Sequence, residues 1–528
     1  MLQESNTSSN KNQLLNTKLL LWGIIPFSLV ILPNISFAPI LRMWFTGGDT
    51  LALIETSQIQ TPNKIVAIFS TPMMSGSTFT NRTLYYRPIT SVSFAIDHLV
   101  WNLNPFGYHL TDLLLHILVT ILVFYTMYYP LRGGKAVSWL GAAIFSIHPI
   151  LAEVVPAIAR RQDILASFFT LVSFLLFWAY TNRSYEKNGW MLAGSLIGYM
   201  LALGSKEISF LLPILIMGYF VLYQNLLGSK KAALLAIYQL APYFVITLFF
   251  FIIRMQVLGG LGGKVESSSS DYLFIIQSYF SSLFYPQPYI PGISIKWIFV
   301  IAVSSLLISL LYIYQTKQGA RLYIFLLGWI FLPLFIYLAS HYFSARMMYF
   351  PAIPLAMLIA LILVSTLKTT HSAFQKKIGD QPLAVTAWIT AGVLLLMSFS
   401  FTVYLLVFSP IFQPYNEWKD SADISKLITK ELSTVVETLP EGNQYTINIT
   451  DLPKGVRTYD DLIPKLESVT YLTSYSLKSY LRLAYPDREI NVKILSSKKL
   501  NSFPQIFTYE VKKDPDGKNI SLIVHPEK

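Results

Sequence analysis

His148, Glu153, Arg160, Arg161 and Asp163 crowd five ionisable side chains into one stretch between two long apolar runs, residues 137–147 and 164–180. A charge at the edge of a bilayer costs several kcal/mol unless water, a partner or a ligand receives it. Polar residues at the ends of other apolar runs match them: Asp49, Tyr86-Arg87-Pro88, His109, Asp112, His116, Lys206-Glu207, His341, Arg346 and Tyr349. Guanidinium groups recognise phosphate through planar, bidentate hydrogen bonds and stay charged when partly buried. Arg and Lys gathered beside carboxylates therefore suit a substrate with an anionic head and an apolar tail, and a departing phosphate needs such stabilisation. His109 and His116 lie seven residues apart on one helical face, with Asp112 between them. That spacing offers metal ligands, but we read it as a hydrogen-bonded cluster within the membrane and assign no metal site.

These groups need elements to hold them. Only 13% of the 528 residues are charged and 53% are hydrophobic, with a mean hydropathy of +0.50. A soluble chain carries roughly a quarter charged residues, so this one reads as an integral membrane protein. It has no Cys, which excludes disulfides, thiolate nucleophiles and Cys-ligated metals. Glycine-rich phosphate loops, HExxH and GxSxG are absent as well. Runs near the roughly 17–25 apolar residues that cross a bilayer recur at 19–40, 108–129, 136–150, 163–181, 189–204, 207–226, 233–254, 294–314, 321–339, 347–366 and 383–408. They predict a mainly α-helical polytopic protein with about eleven transmembrane helices. The first run is too long for a signal-peptide core and lacks a small-x-small cleavage site, so it reads as a retained anchor. Residues 41–107 form a first loop outside the membrane, with amphipathic pieces lying partly on the bilayer surface.

Lys and Arg set the orientation. With a cytoplasmic N-terminus, the inner connections hold Arg132 and Lys135, Arg183 and Lys187, Lys230 and Lys231, Lys317 and Arg321, then Lys368, Lys376 and Lys377. The short outer turns hold Arg160, Arg161, Lys206 and Arg346, which topology does not require. Much of the net charge of +12 is thus accounted for by topology, and no nucleic-acid partner is called for. Composition changes near residue 409, and residues 410–528 read as a small extracytoplasmic α/β domain. Residues 417–439 carry helical spacing, QYTINI and EINVKIL alternate like strands, and a hairpin is expected around residues 514–517.

Four stretches together resemble the membrane part of the TMTC-type protein O-mannosyltransferases, within the wider GT-C glycosyltransferase superfamily. They are YYRPITSVSFAIDHLVWNLNPFGYHLTDLLLH, IFSIHPILAEVVPAIARRQDILA, LALGSKE and ARMMYFPAIP. The resemblance covers roughly residues 40–410 and implies a GT-C fold over residues 1–409. The family's His-Pro motif, with its acid and Arg, falls on His148, Glu153 and Arg161, and the acid two residues later on Asp163. Its Tyr-Arg-Pro falls on Tyr86, Arg87 and Pro88, and its Lys-Glu on Lys206 and Glu207. Its Glu-Arg-x-x-Tyr-x-Pro falls on Arg346, Tyr349 and Pro351, with Ala345 in place of the Glu. Such enzymes place an acidic pair in the first outer loop, where this chain has Gly47-Gly48-Asp49.

The resemblance implies transfer of a sugar, mannose or another hexose, from a polyprenyl-phosphate donor to a protein, glycan or lipid hydroxyl, with inversion. Asp49 is the expected catalytic base. Arg161, Arg346 and Lys206 are expected to hold the donor phosphate, with Arg87, His148, Glu153, Asp163, Glu207 and Tyr349 in the pocket. No cofactor is assigned, and a divalent metal stays open. The expected setting, with membrane lipids around it, is a bacterial plasma membrane. A transporter or flippase for a lipid-linked sugar, or a catalytically inactive binding or scaffold member of the same fold, would carry many of the same features.

Overall fold

The computed structural model describes residues 20–77, 85–182, 189–224, 229–260, 262, 272–284, 295–317, 319–375, 382–412, 416–441, 444–456, 472–500, 506–513 and 519–527. Arg183, Lys187, Lys376, Lys377 and the turn expected at 514–517 lie outside them. The helices that begin the chain are α1 (Ile25–Phe37), α2 (Thr50–Ser57), α3 (Pro62–Ser70), α4 (Pro88–Trp101), α5 (Pro105–Tyr128), α6 (Lys135–Ser146), α7 (Arg161–Thr181), α8 (Gly189–Leu203) and α9 (Leu212–Tyr223). Then come α10 (Lys230–Leu258), α11 (Tyr272–Phe284), α12 (Ile295–Thr316), α13 (Ala320–Ala339), α14 (Tyr349–Gln375) and α15 (Pro382–Val407). Among the described residues, eight segments are long and apolar enough to cross a membrane, and four further apolar helices are shorter. The runs at 189–204 and 207–226, counted as spans from sequence, fall among the shorter ones, while the run at 383–408 is the 26-residue α15. The chain is an integral membrane protein.

Two helices show how composition sorts interior from periphery. Residues 349–363 of α14 are buried on every side, as expected of a helix that is apolar all round and central. Helix α10 is equally apolar but exposes Leu234, Ile237, Tyr238, Val245, Leu248 and Phe249, so it stands at the rim. In the first loop, α3, α4 and the following α5 all begin with Pro, whose missing N–H costs nothing at a first helical position. Exposed Val66 and Phe69 on α3, and Leu99 and Val100 on α4, give these helices apolar surfaces. Helix α11 lies in what the sequence reads as an outer connection. At 13 residues it is too short for a span, yet Ile275, Tyr279, Phe280 and Leu283 are buried.

The C-terminal segment contains α16 (Asn416–Glu437) and α17 (Ser474–Ala484) beside a four-stranded sheet in the order β3-β1-β6-β5. Strands β1 (Tyr445–Thr450), β3 (Ile490–Ile494) and β6 (Asn519–Glu527) run parallel, and β5 (Ile506–Lys513) is antiparallel to β6. A separate parallel pair joins β2 (Leu452–Val456) to β4 (Ser497–Leu500). Alternation in β1 buries Tyr445, Ile447 and Ile449, as a half-covered strand should.

Helix α6 lies close against α14 because position 141 is Gly. A Cβ there would stand 3.2 Å from the Met357 Cα and 3.2 Å from the Met127 Sδ. Small residues allow such close approach of membrane helices. Gly141→Val forces the two backbones apart and is expected to cost about 1–3 kcal/mol, read as a lower apparent melting temperature in detergent. An unchanged melting temperature would show that the packing relaxes freely.

Candidate active site

Helix ends and turns carry most of the polar residues named above, and several of them fall in three clusters. The first is built on Arg161, the opening residue of α7, which is 0% exposed. Its Nε donates to Asp112 of α5 at 2.5 Å and its Nη1 pairs with Asp97 of α4 at 2.6 Å. Nη2 donates to the Tyr108 carbonyl at 2.9 Å, and the guanidinium lies over the Phe94 ring. Arg161 therefore faces inward onto protein partners, not toward an open pocket.

The second cluster joins residues far apart in sequence. Glu207 is shared by Arg87, at 2.7 Å, and Arg254, at 3.0 Å. Lys206 donates to Asp163, which also acts electrostatically on Arg87. Backbone and hydroxyl bonds hold the frame: Ile89 N–H to Gly204 O at 3.0 Å, and the Thr90 hydroxyl to Ser205 O at 3.1 Å. Three cations face two carboxylates, an excess of one positive charge. Among the described residues Arg254 donates Nη1 to Glu207. The sequence reading passed over Arg254 by counting it as the last residue of an apolar run. Its position at the end of that run expected to lie outside, where the positive-inside rule asks for no cation, was the available signal.

The third cluster is Asp49 itself. Gly47 has φ +83°, a left-handed turn conformation that suits glycine. The Thr46 hydroxyl donates to the Pro156 carbonyl at 2.6 Å, pinning this loop beside the segment that carries Arg160 and Arg161. Asp49 stands at the N-cap of α2, yet its side chain makes no cap hydrogen bond. Instead Oδ1 accepts from the Tyr475 hydroxyl of α17 at 2.5 Å.

Other expected pocket residues serve the interior. Tyr349 Oη bonds His116 Nδ1 at 2.9 Å, and both are fully buried. His148 is buried and accepts from Ile150 N–H, capping the turn at Pro149–Glu153. Glu153 is half-buried in that same turn. His109 reaches the Trp44 carbonyl while Asp112 takes Arg161, so the two His and the Asp point to separate partners. Arg346 donates to the Tyr342 hydroxyl at 2.8 Å and is half-buried. Away from these clusters an apolar cavity of about 360 Å³ opens between α12, α14 and α15, lined by Ile301, Leu306, Leu358, Ile362, Leu394 and Phe401 among others.

A membrane-embedded helical bundle with a charged site at one end is the class these features define. No family model matches the chain. Over 114 residues it is 37% identical to Protein O-mannosyl-transferase TMTC2 of Homo sapiens, covering 21% of this chain and 14% of that protein. Over 102 residues it is 32% identical to Protein O-mannosyl-transferase TMTC1 of Homo sapiens, covering 19% of this chain and 11% of that one. The match thus spans less than a sixth of either relative's length. Among solved structures, ArnT from Cupriavidus metallidurans bound to undecaprenyl phosphate aligns over 89% of each chain at 14% identity, with a TM-score of 0.41. The chain resembles the TMTC-type proteins over part of its membrane region.

Removing one partner of a buried ion pair strands the other charge, at about 3–5 kcal/mol. Arg161→Ala is therefore expected to lower thermal stability sharply, with loss of monodisperse protein in detergent. A stable Arg161→Ala variant impaired only in donor affinity would instead return Arg161 to the donor pocket.

Proposed function

We propose that this chain is an integral-membrane glycosyltransferase of the GT-C type. It transfers a hexose such as mannose from a polyprenyl-phosphate donor to a protein, glycan or lipid hydroxyl at the extracytoplasmic face. The observation that carries the reading is Asp49. It occupies a helix N-cap position yet its side chain leaves the helix uncapped, and that side chain's one hydrogen bond among the described residues is to a hydroxyl.

In the transfer step the acceptor hydroxyl gives its proton to Asp49 as its oxygen attacks the anomeric carbon. The new carbon–oxygen bond forms while the bond from that carbon to the phosphate oxygen breaks, and the electron pair leaves with polyprenyl phosphate. A single displacement of this kind inverts the anomeric centre. Arg87, Lys206 and Arg254, with their one-charge excess, and Arg346 receive the departing phosphate. A charge-assisted contact that strengthens in the transition state contributes on the order of 2–4 kcal/mol. Arg161 is assigned to holding the fold. The apolar cavity between α12, α14 and α15 suits the donor's lipid tail. Partial similarity to proteins named protein O-mannosyl-transferases supports the reaction class. The N-terminus lies in the cytoplasm and residues 410–528 form an extracytoplasmic domain, in a bacterial plasma membrane. The step as written uses no cofactor.

A non-catalytic member of the same fold is favoured by one pair of observations: Ala345 where the family motif has Glu, and the occupied oxygen of Asp49. Release of polyprenyl phosphate from a polyprenyl-phosphate mannose donor, with acceptors supplied, separates the two. Asp49→Asn is expected to abolish release while donor binding persists, and Arg254→Ala to slow it by about 10²–10³-fold. Turnover retained in Asp49→Asn would remove Asp49 from the chemistry. No release by the wild-type chain with a range of polyprenyl-phosphate sugars would favour the non-catalytic reading.

A further inference from the structure

Helix α17 meets α2 through polar side chains. Besides the Tyr475–Asp49 bond, Ser479 donates to Glu55 at 2.6 Å and Arg482 pairs with Glu55 at 2.8 Å. The apolar side of α17 is used elsewhere: Leu477 and Leu481 are buried, and Tyr480 bonds Ser433 of α16 at 2.9 Å. Thus α17 belongs to the C-terminal segment and reaches Asp49 with its polar face. Burial, and secondarily the Asp49 charge, push the Tyr475 phenol well above its usual range, so it remains a neutral donor. A neutral hydroxyl donating to Asp49 Oδ1 is the same hydrogen bond that an acceptor hydroxyl makes with its base before transfer.

Resting on the reading of Asp49 as base, we propose that the Tyr475 hydroxyl occupies the acceptor's seat, and that α17 is the acceptor-side gate. An acceptor reaches Asp49 only when α17 withdraws from α2. The clasp that holds the gate is the Glu55 pair with Ser479 and Arg482. Arg482 is 42% exposed, so its ion pair is screened and holds the gate weakly. Selection follows from this arrangement, because the incoming acceptor has to offer a hydroxyl donor and displace a helix with Lys478 and Arg482 beside the entrance.

The chain has no Cys, so a clamp can be installed on a clean background. Glu55→Cys combined with Ser479→Cys, in the full-length protein in detergent or nanodiscs, is expected to form a disulfide under mild oxidation. In the oxidised state, modification of Asp49 by a water-soluble carbodiimide, read by mass spectrometry, is expected to fall at least fivefold. Release of polyprenyl phosphate is expected to fall at least tenfold, with binding of the polyprenyl-phosphate mannose probe unchanged. Reductant should restore both. Tyr475→Phe, which keeps the ring and removes the donor, is expected to lower the acceptor KM several-fold without lowering kcat. Failure of the disulfide to form, or equal labelling of Asp49 in oxidised and reduced protein, overturns the gate. So does a Tyr475→Phe enzyme whose kcat falls at constant KM, which would make Tyr475 a positioning residue. Turnover in Asp49→Asn sinks the base reading instead, and labelling still decides the gate if no variant turns over.

Discussion

The site depends first on a guanidinium buried in an apolar bundle. Arg161 has no exposed surface, and a lone cation in that position would cost several kcal/mol. Asp112 on α5 and Asp97 on α4 meet it, so neutralising one charge fixes the relative placement of three helices. Helix α4 is the last element of the first loop, and tying it to α7 docks that loop onto the bundle. The Thr46–Pro156 bond then brings the Asp49 turn against the chain entering α7. An ion pair among protein groups thus helps to set the position of the candidate base.

Formal charge also distinguishes that cluster from its neighbour. Arg161 with Asp97 and Asp112 carries one cation against two carboxylates, an excess of one negative charge. Arg87, Lys206 and Arg254 with Asp163 and Glu207 carry one positive charge in excess. Tyr349 feels both Asp163 and Asp112, so the two clusters are neighbours. The second cluster, by formal charge, is the one that suits the proposed departing phosphate. Arg161 and Arg254 are the same residue type in different surroundings: one faces two carboxylates, and the other shares a single carboxylate with Arg87.

Residues whose placement follows from local pattern were legible in the sequence. The long apolar runs became the bundle, the 417–439 periodicity became α16, and the alternation of QYTINI and EINVKIL became β1 and β3. Some of the polar residues at run ends did pair with one another, as Arg87 with Glu207 and Lys206 with Asp163. What stayed hidden was pairing across distance. Nothing local marks Asp97 as the partner of Arg161, or Tyr475 as the partner of Asp49 across 426 positions. Helix α11 escaped because 13 residues between a serine-rich and a proline-rich stretch give no span-length signal. Arg254 escaped because a hydropathy window absorbs a single charge at its edge.

Asp49 joins these strands of argument. Its helix has a vacant cap that a carboxylate would ordinarily fill, worth about 1 kcal/mol, and the side chain forgoes it. The Gly47 turn and the pinned loop aim the carboxylate away from α2 and toward the C-terminal segment. A group held against its local preference by distant contacts is one whose direction matters more than its contribution to helix stability. The direction it takes is onto a hydroxyl, the functional group that a base in acyl or glycosyl transfer must engage. The C-terminal segment and the first loop therefore meet at this carboxylate, and removing either changes what it contacts.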